Sequence, residues 1–373
     1  MVNWLQLSSN SGIGTTNITI TASTYIGLVD RITSLLVSGV TATSVVAIEQ
    51  ERAGEARGLA FEILSSGTIT WSSVSGITID YVIGNGESRG TLSNGSSLNV
   101  SAGDIVSFNA TNPRYGSSIS TFSHFGGTAY FNIVGNIMSL IYGDNFSGQT
   151  SFNNQRYVFS GLFSSANTVD ASGLVLPAEI ITEGSYNSMF EACHSLVGAP
   201  AIPADYMDMF ACRCMFRECI SLTTAPELPA IVTAMDLNHT YHYGSGCYYQ
   251  MFYNCTGLTT APTVLPSIEL YDGCYAYMFY GCSSLHSAPE LPATTLLGGC
   301  YEEMFDGCSS LNYIKCLATN VSDSVNRNNC SWWVHGVNST GTFVKDSGAT
   351  WPPATGQTTY SSIPAGWTVV DAT

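Results

Sequence analysis

Twelve cysteines, six histidines and 27 carboxylates are the side chains of this 373-residue chain that could hold a metal or move a proton. Only two histidines lie close together, His239 and His242 in the stretch NHTYHYGSG. A zinc site needs three or four ligands, and no third of the right type lies nearby. Cys212, Cys214 and Cys219 likewise lack the second pair that a zinc motif requires. No Gly-x-Ser-x-Gly, no Gly-rich loop ending in Lys-Ser/Thr and no His-Glu-x-x-His occurs. A glycosidase needs only two distant carboxylates, so the acids leave that class formally open, while Glu302 beside Glu303 reads as a solvated face. The sequence therefore points to no catalytic residue, no metal and no cofactor.

A second cluster concerns recognition. The stretch TAMDLNHTYHYGSG is an insertion of about ten residues into a repeat described below, and it holds His239, Tyr241, His242 and Tyr243. The position after each Met-Phe of the repeat varies (Glu191, Arg217, Tyr253, Tyr280, Asp306), which predicts that it faces outward. The insertion with Tyr253 and Tyr280 could form an aromatic platform that stacks on sugar rings or anchors a protein. The alternative, which the residues favour, is that these rings pack the insertion onto the array.

The elements that must position these groups are repeats. Met-Phe-x-x-Cys-x-x-Leu recurs at Met189, Phe190 and Cys193; Met215, Phe216 and Cys219; Met251, Phe252 and Cys255; Met278, Phe279 and Cys282; and Met304, Phe305 and Cys308, in steps of 26, 36, 27 and 26 residues. A faded copy lies 27 residues upstream, with Leu162 and Phe163 at the Met-Phe positions. On a helical wheel of about 100° per residue, Cys300, Tyr301, Met304, Phe305 and Cys308 share one arc and Glu302, Glu303 and Asp306 the other. The phrase predicts a short helix, with Gly281 and Gly307 near the stop. The intervening Ala-Pro-x-Leu-Pro phrase reads as a short extended segment. Such a unit buries its apolar face only by stacking, which predicts a solenoid with the Met, Phe and Cys residues as its core. Helices side by side stand about 8–10 Å apart, too far for disulfides whose Cα atoms lie within about 7 Å, so the cysteines are expected to be buried thiols.

These residues carry a resemblance. GCSSLHSAPELPATTLLGGCYEEMFDGCSSL is similar to BspA-like leucine-rich repeats, the form found in gut Bacteroidales and their phages; the likeness covers residues 137–345, and CSWWVHGVNSTGTFVKD resembles the closing cap of such arrays. WLQLSSNSGIGTTNITITAS and SGVTATSVVAIEQE resemble a BACON domain over residues 1–53. Strand-like runs separated by GNGESRG and SNGSS predict a second antiparallel β domain over residues 54–136, and a tail follows at residues 346–373. The expected fold is multidomain: an N-terminal all-β part (a BACON/Ig-like sandwich and a second β domain), then an α/β leucine-rich-repeat solenoid.

Charge narrows the partners. Eleven basic against 27 acidic residues give a net charge of −16, and Lys315 and Lys345 are the two lysines. Such a surface repels phosphate backbones and anionic lipid, which argues against nucleic acid and membrane partners. No basic segment followed by an apolar core opens the chain, and no run approaches about 18 apolar residues. The expectation is a chain neither exported by the usual route nor embedded. With the resemblance, this implies a non-enzymatic virion protein of a Bacteroidales phage of the crAss-like group: a capsid decoration, head fibre or tail-associated component assembled in the host cytoplasm. Its implied partners are other capsid or tail proteins, copies of itself, and host-surface or mucus glycans or proteins. The competing class is a bacterial cell-surface or secreted glycan-binding protein shown without its signal peptide.

Overall fold

The structure is a computed structural model that describes residues 57–74, 76–84, 88–228, 246–266, 270, 272–319, 321, 329–351 and 362–372, with the backbone of four earlier strands. Those strands form two antiparallel ladders, Leu5–Leu7 with Ile20–Ala22 and Arg31–Ser38 with Thr43–Gln50, so the N-terminal region is all-β.

From residue 57 the chain builds two sheets. One runs, in spatial order, Thr168–Val175, Phe131–Asn136, Ala60–Ile63, Ile105–Asn109, Ile79–Ile83 and Ser88–Leu92; the other runs His124–Gly127, Gly67–Ser72 and Ser96–Val100. Alternation sets the faces: along Gly67–Ser72, Ile69 and Trp71 point inward and are buried. Trp71 satisfies its indole N–H on the carbonyl of Ile77 at 2.9 Å. Between the sheets lies an aromatic core in which Phe61 stacks on Phe131 at 4.2 Å and meets Phe108 and Phe125 edge-on at 4.6 and 5.0 Å. Thr168–Val175 continues this sheet in parallel from Phe131–Asn136 and bridges onward at Asp170 to Gly198. The β region thus caps the first repeat, and one hydrophobic core runs from Leu59 to Trp367.

The repeats stack, but not as helices. Among the described residues the α-helix is one turn, Ser139–Tyr142. The α/β leucine-rich-repeat solenoid expected for residues 137–345 is therefore overturned: Cys300–Cys308 and its equivalents are chains of turns. The backbone shows why. The N–H groups of Glu302, Met304, Asp306 and Cys308 bond carbonyls three residues back at 3.1–3.3 Å. Those of Tyr301, Glu303, Phe305 and Gly307 instead bond Asn329, Ser331, Trp333 and His335 of the next coil at 2.8–2.9 Å. Every second donor therefore leaves its own coil, which an α-helix forbids because it consumes each interior N–H internally. Every fourth residue is left-handed: Gly299, Glu303 and Gly307 here (φ 68, 46 and 77°), Gly184, Ser188 and Ala192 in an earlier coil. For a residue with a Cβ this conformation costs about 1–2 kcal/mol, offset by the bonds and burial that the next coil supplies.

Those contacts form columns. Phe125, Phe163, Phe190, Phe216, Phe252, Phe279 and Phe305 stack in series, 6.0 Å apart at the β cap and 5.3–5.7 Å thereafter. Inside the stack, Tyr275 and Tyr301 lead to Trp333 and Trp351. The Ala-Pro-x-Leu-Pro phrases contribute single parallel bridges such as Thr224 to Thr260 and Ser287 to Tyr313. A parallel sheet of Tyr313–Cys316, Thr342–Lys345 and Thr368–Asp371 closes the far end.

All twelve cysteines are buried thiols. The spacing from which that was expected is corrected: hydrogen-bonded coils lie about 4.8 Å apart, not at the distance of packed helices. The Met, Phe and Cys positions of the five full repeats are fully enclosed.

Candidate functional site

Of the residues proposed for recognition, His239, Tyr241, His242 and Tyr243 fall in 229–245, outside the described residues. Tyr253 and Tyr280 are brought together. Their rings lie parallel within 4° at 4.7 Å, one coil apart on the outside of the stack. They are the middle of a longer ladder built from the position after each Met-Phe. Arg217 pairs with Glu191 at 3.7 Å and lies over the Tyr253 ring at 5.0 Å. Beyond Tyr280 come Asp306 and then His335, joined at 2.8 Å.

A second ladder runs beside it. Asn187 accepts a hydrogen bond from Arg213 at 3.3 Å, Arg213 sits over Tyr249 at 5.4 Å, and Tyr249 meets Tyr277 at 5.6 Å. The Tyr277 hydroxyl reaches Glu302 and Glu303, each at 3.4 Å. The outward position after Met-Phe was legible as a variable column. This neighbouring ladder was missed, because its members sit two residues before Met (Asn187, Arg213, Tyr249) or one before it (Tyr277), so no single column of the repeat lists them together.

The electrostatics grade along the strip. Burial pulls Arg217 down, but Glu191, Cys214 and Glu218 outweigh it and hold the guanidinium above its ordinary range. Asp306, with some burial, raises the Tyr280 phenol. Burial and then Glu302 and Glu303 raise Tyr277, and burial and then Asp306 raise Glu303. The strip passes from paired arginines through phenols to a carboxylate cluster. Tyr253 has one face against Arg217 and the other against Tyr280. A sugar ring therefore has no open face of Tyr253 to stack on.

A further polar group lies near the β cap. The Tyr157 hydroxyl donates to Glu183 at 2.5 Å, and Arg156 pairs with the same carboxylate at 2.8 Å. Burial, with Glu183 adding to it, raises the Asp208 carboxyl. Among the described residues no group of three or more His, Cys, Asp or Glu side chains converges as a metal site, and no helix is long and apolar enough to cross a membrane.

The fold and strip define a class of arrangement: a capped stack of turn-built coils bearing side-chain ladders on its exterior. Comparison with protein-family models, curated proteins and solved structures gave no match.

Proposed function

We propose that the chain is a non-enzymatic structural and adhesive component of a Bacteroidales phage particle, whose stacked coils present their exterior ladder to host-surface or mucus glycans or proteins. The observation that carries this reading is the contrast between the two sides of each coil. Inside, the same Met, Phe and Cys recur and fix the spacing. Outside, the equivalent positions run Glu191, Arg217, Tyr253, Tyr280, Asp306 and His335, six side chains of four chemical kinds held in register. An extended surface with a constant frame and variable side chains is how repeat arrays recognise partners. The buried thiols fit assembly in a reducing compartment.

Mass spectrometry of density-banded phage particles tests the reading. Stoichiometric presence of the chain among capsid or tail proteins is expected. Its absence from particles, with a mature form cut from a longer exported precursor, would assign it to the bacterial surface instead.

A further inference from the structure

Cys193, Cys219, Cys255, Cys282 and Cys308 hold the same position in five successive coils and are fully buried. Each thiol donates to the carbonyl of a phenylalanine one coil back: Phe163, Phe190, Phe216, Phe252 and Phe279, at 3.0–3.1 Å. That shared bond sets the sulfurs in a file with the repeat of the coils. The repeat is about 4.8 Å where backbones bond directly, and the phenylalanine rings beside the file recur at 5.3–5.7 Å. Cys219 lies within electrostatic reach of Cys193 and Cys255, and Cys282 of Cys255 and Cys308.

This spacing selects a ligand. A disulfide, whose Cα atoms stand about 4.4–6.8 Å apart, could reach across this spacing, but all twelve cysteines are free thiols and each of these five is turned to a phenylalanine carbonyl. A metal–sulfur bond is about 2.3 Å long, so two bonds in line span about 4.6 Å. Ions satisfied by two thiolates in line are soft closed-shell cations such as Cu⁺ and Ag⁺. A tetrahedral or octahedral ion needs more ligands than converge anywhere among the described residues.

We propose that this file binds Cu⁺, or a cation of the same class, between the thiolates of adjacent coils. Two S–H groups and one Cu⁺ give S–Cu–S, with one net negative charge, and two protons leave to solvent. The loss of S–H strands no acceptor, because the Phe190, Phe216, Phe252 and Phe279 carbonyls also accept the N–H of Cys193, Cys219, Cys255 and Cys282 at 3.1 Å. Burial pushes the Cys193 and Cys255 thiols up to about 12, which disfavours a bare thiolate. A bound ion takes the place of the proton, so no bare thiolate is required. The binding is independent of what the exterior face recognises.

Two double variants of the full chain test this, both made in a chain that also carries Cys247→Ser and Cys300→Ser to interrupt the second run of buried thiols in successive coils (Cys212, Cys247, Cys274 and Cys300), because they remove equal numbers of thiols from the file and differ in its adjacency alone. Cys219→Ser with Cys282→Ser leaves no two neighbouring coils with a thiol in the file, whereas Cys193→Ser with Cys308→Ser keeps Cys219, Cys255 and Cys282 together. Serine retains a donor for the phenylalanine carbonyl, and circular dichroism checks that both variants fold. Under argon, in competition with bathocuproine disulfonate, the second variant should withdraw Cu⁺ from the chelator at least tenfold more strongly than the first. Equal withdrawal by the two overturns the proposal. X-ray absorption on the Cu⁺-loaded wild-type chain, which needs no variant to fold, should show copper held in line by two sulfurs. Three sulfurs, or nitrogen and oxygen ligands, would also overturn it.

Discussion

Replacing Phe252 by alanine probes what holds the stack together. Phe252 is fully buried and lies between Phe216 at 5.7 Å and Phe279 at 5.5 Å, both nearly parallel to it. Phe→Ala in a core costs about 3–5 kcal/mol through lost transfer energy and the cavity left behind. Here relaxation is limited, because both neighbouring rings are held by backbone bonds to coils that cannot close the gap: Phe216 N–H to Met251 at 3.0 Å and Phe279 N–H to Met304 at 2.9 Å. Two stacked ring pairs are lost as well, each worth about 0.5–1.5 kcal/mol beyond area. The expected loss is therefore at the top of the range, about 4–5 kcal/mol, which for a unit of this size lowers the melting temperature by on the order of 10 °C. Equilibrium urea unfolding followed by tyrosine fluorescence and circular dichroism measures it. In a one-dimensional stack the loss also weakens coupling across that coil, so the two probes should separate into two transitions. Tyr253→Ala, one residue along but half-exposed, is the internal control and should cost on the order of 1 kcal/mol. If Phe252→Ala costs no more than Tyr253→Ala, the aromatic column is not what couples the coils.

Gly281 and Gly273 share a positive φ (+70° and +66°), but a Cβ on Gly281 would run into the side-chain amide of Asn254 on the preceding coil while one on Gly273 meets nothing; in urea unfolding Gly273→Ala should cost about 1–2 kcal/mol and Gly281→Ala more. Burial and Glu183 raise the Asp208 carboxyl above 3.8, so its charged form is penalised in the folded chain. Its contribution therefore falls as pH rises from about 3.8 through the folded value, and Asp208→Asn should raise the melting temperature at pH 7 yet leave it unchanged well below pH 3.8. Iodoacetamide at mildly alkaline pH should leave the native cysteines unmodified and alkylate all twelve in concentrated guanidinium, as read by intact mass, because burial raises thiols such as Cys193 and Cys255 to about 12.

Much of the interior was legible beforehand. Met-Phe-x-x-Cys-x-x-Leu assigned equivalent positions across five copies, and each of those Met, Phe and Cys residues is enclosed. The exterior was legible as a variable column at Glu191, Arg217, Tyr253, Tyr280 and Asp306, and the structure joins Tyr253 to Tyr280 and to Arg217. Which faces of those rings stay open was not legible, because that depends on what stands one coil above and below. The insertion with His239 and His242 lies outside the described residues.

What the sequence determined by itself is the register of the repeats and the side of each coil that faces inward, since both follow from the order of apolar and polar residues. Along Cys300–Cys308 that order is two in and two out: Cys300 and Tyr301 buried, Glu302 and Glu303 outward, Met304 and Phe305 buried, Asp306 and Gly307 outward, Cys308 buried. A period of four and the helical period of about 3.6 drift apart by less than one residue over so short a run, so a clean helical wheel and a chain of turns bury the same side chains. What only the tertiary structure decided is which of the two forms. The neighbouring coil offers carbonyls to every second N–H and a flat ring to every phenylalanine. A nine-residue helix over Cys300–Cys308, too short to be stable alone, has nothing of equal worth to set against them.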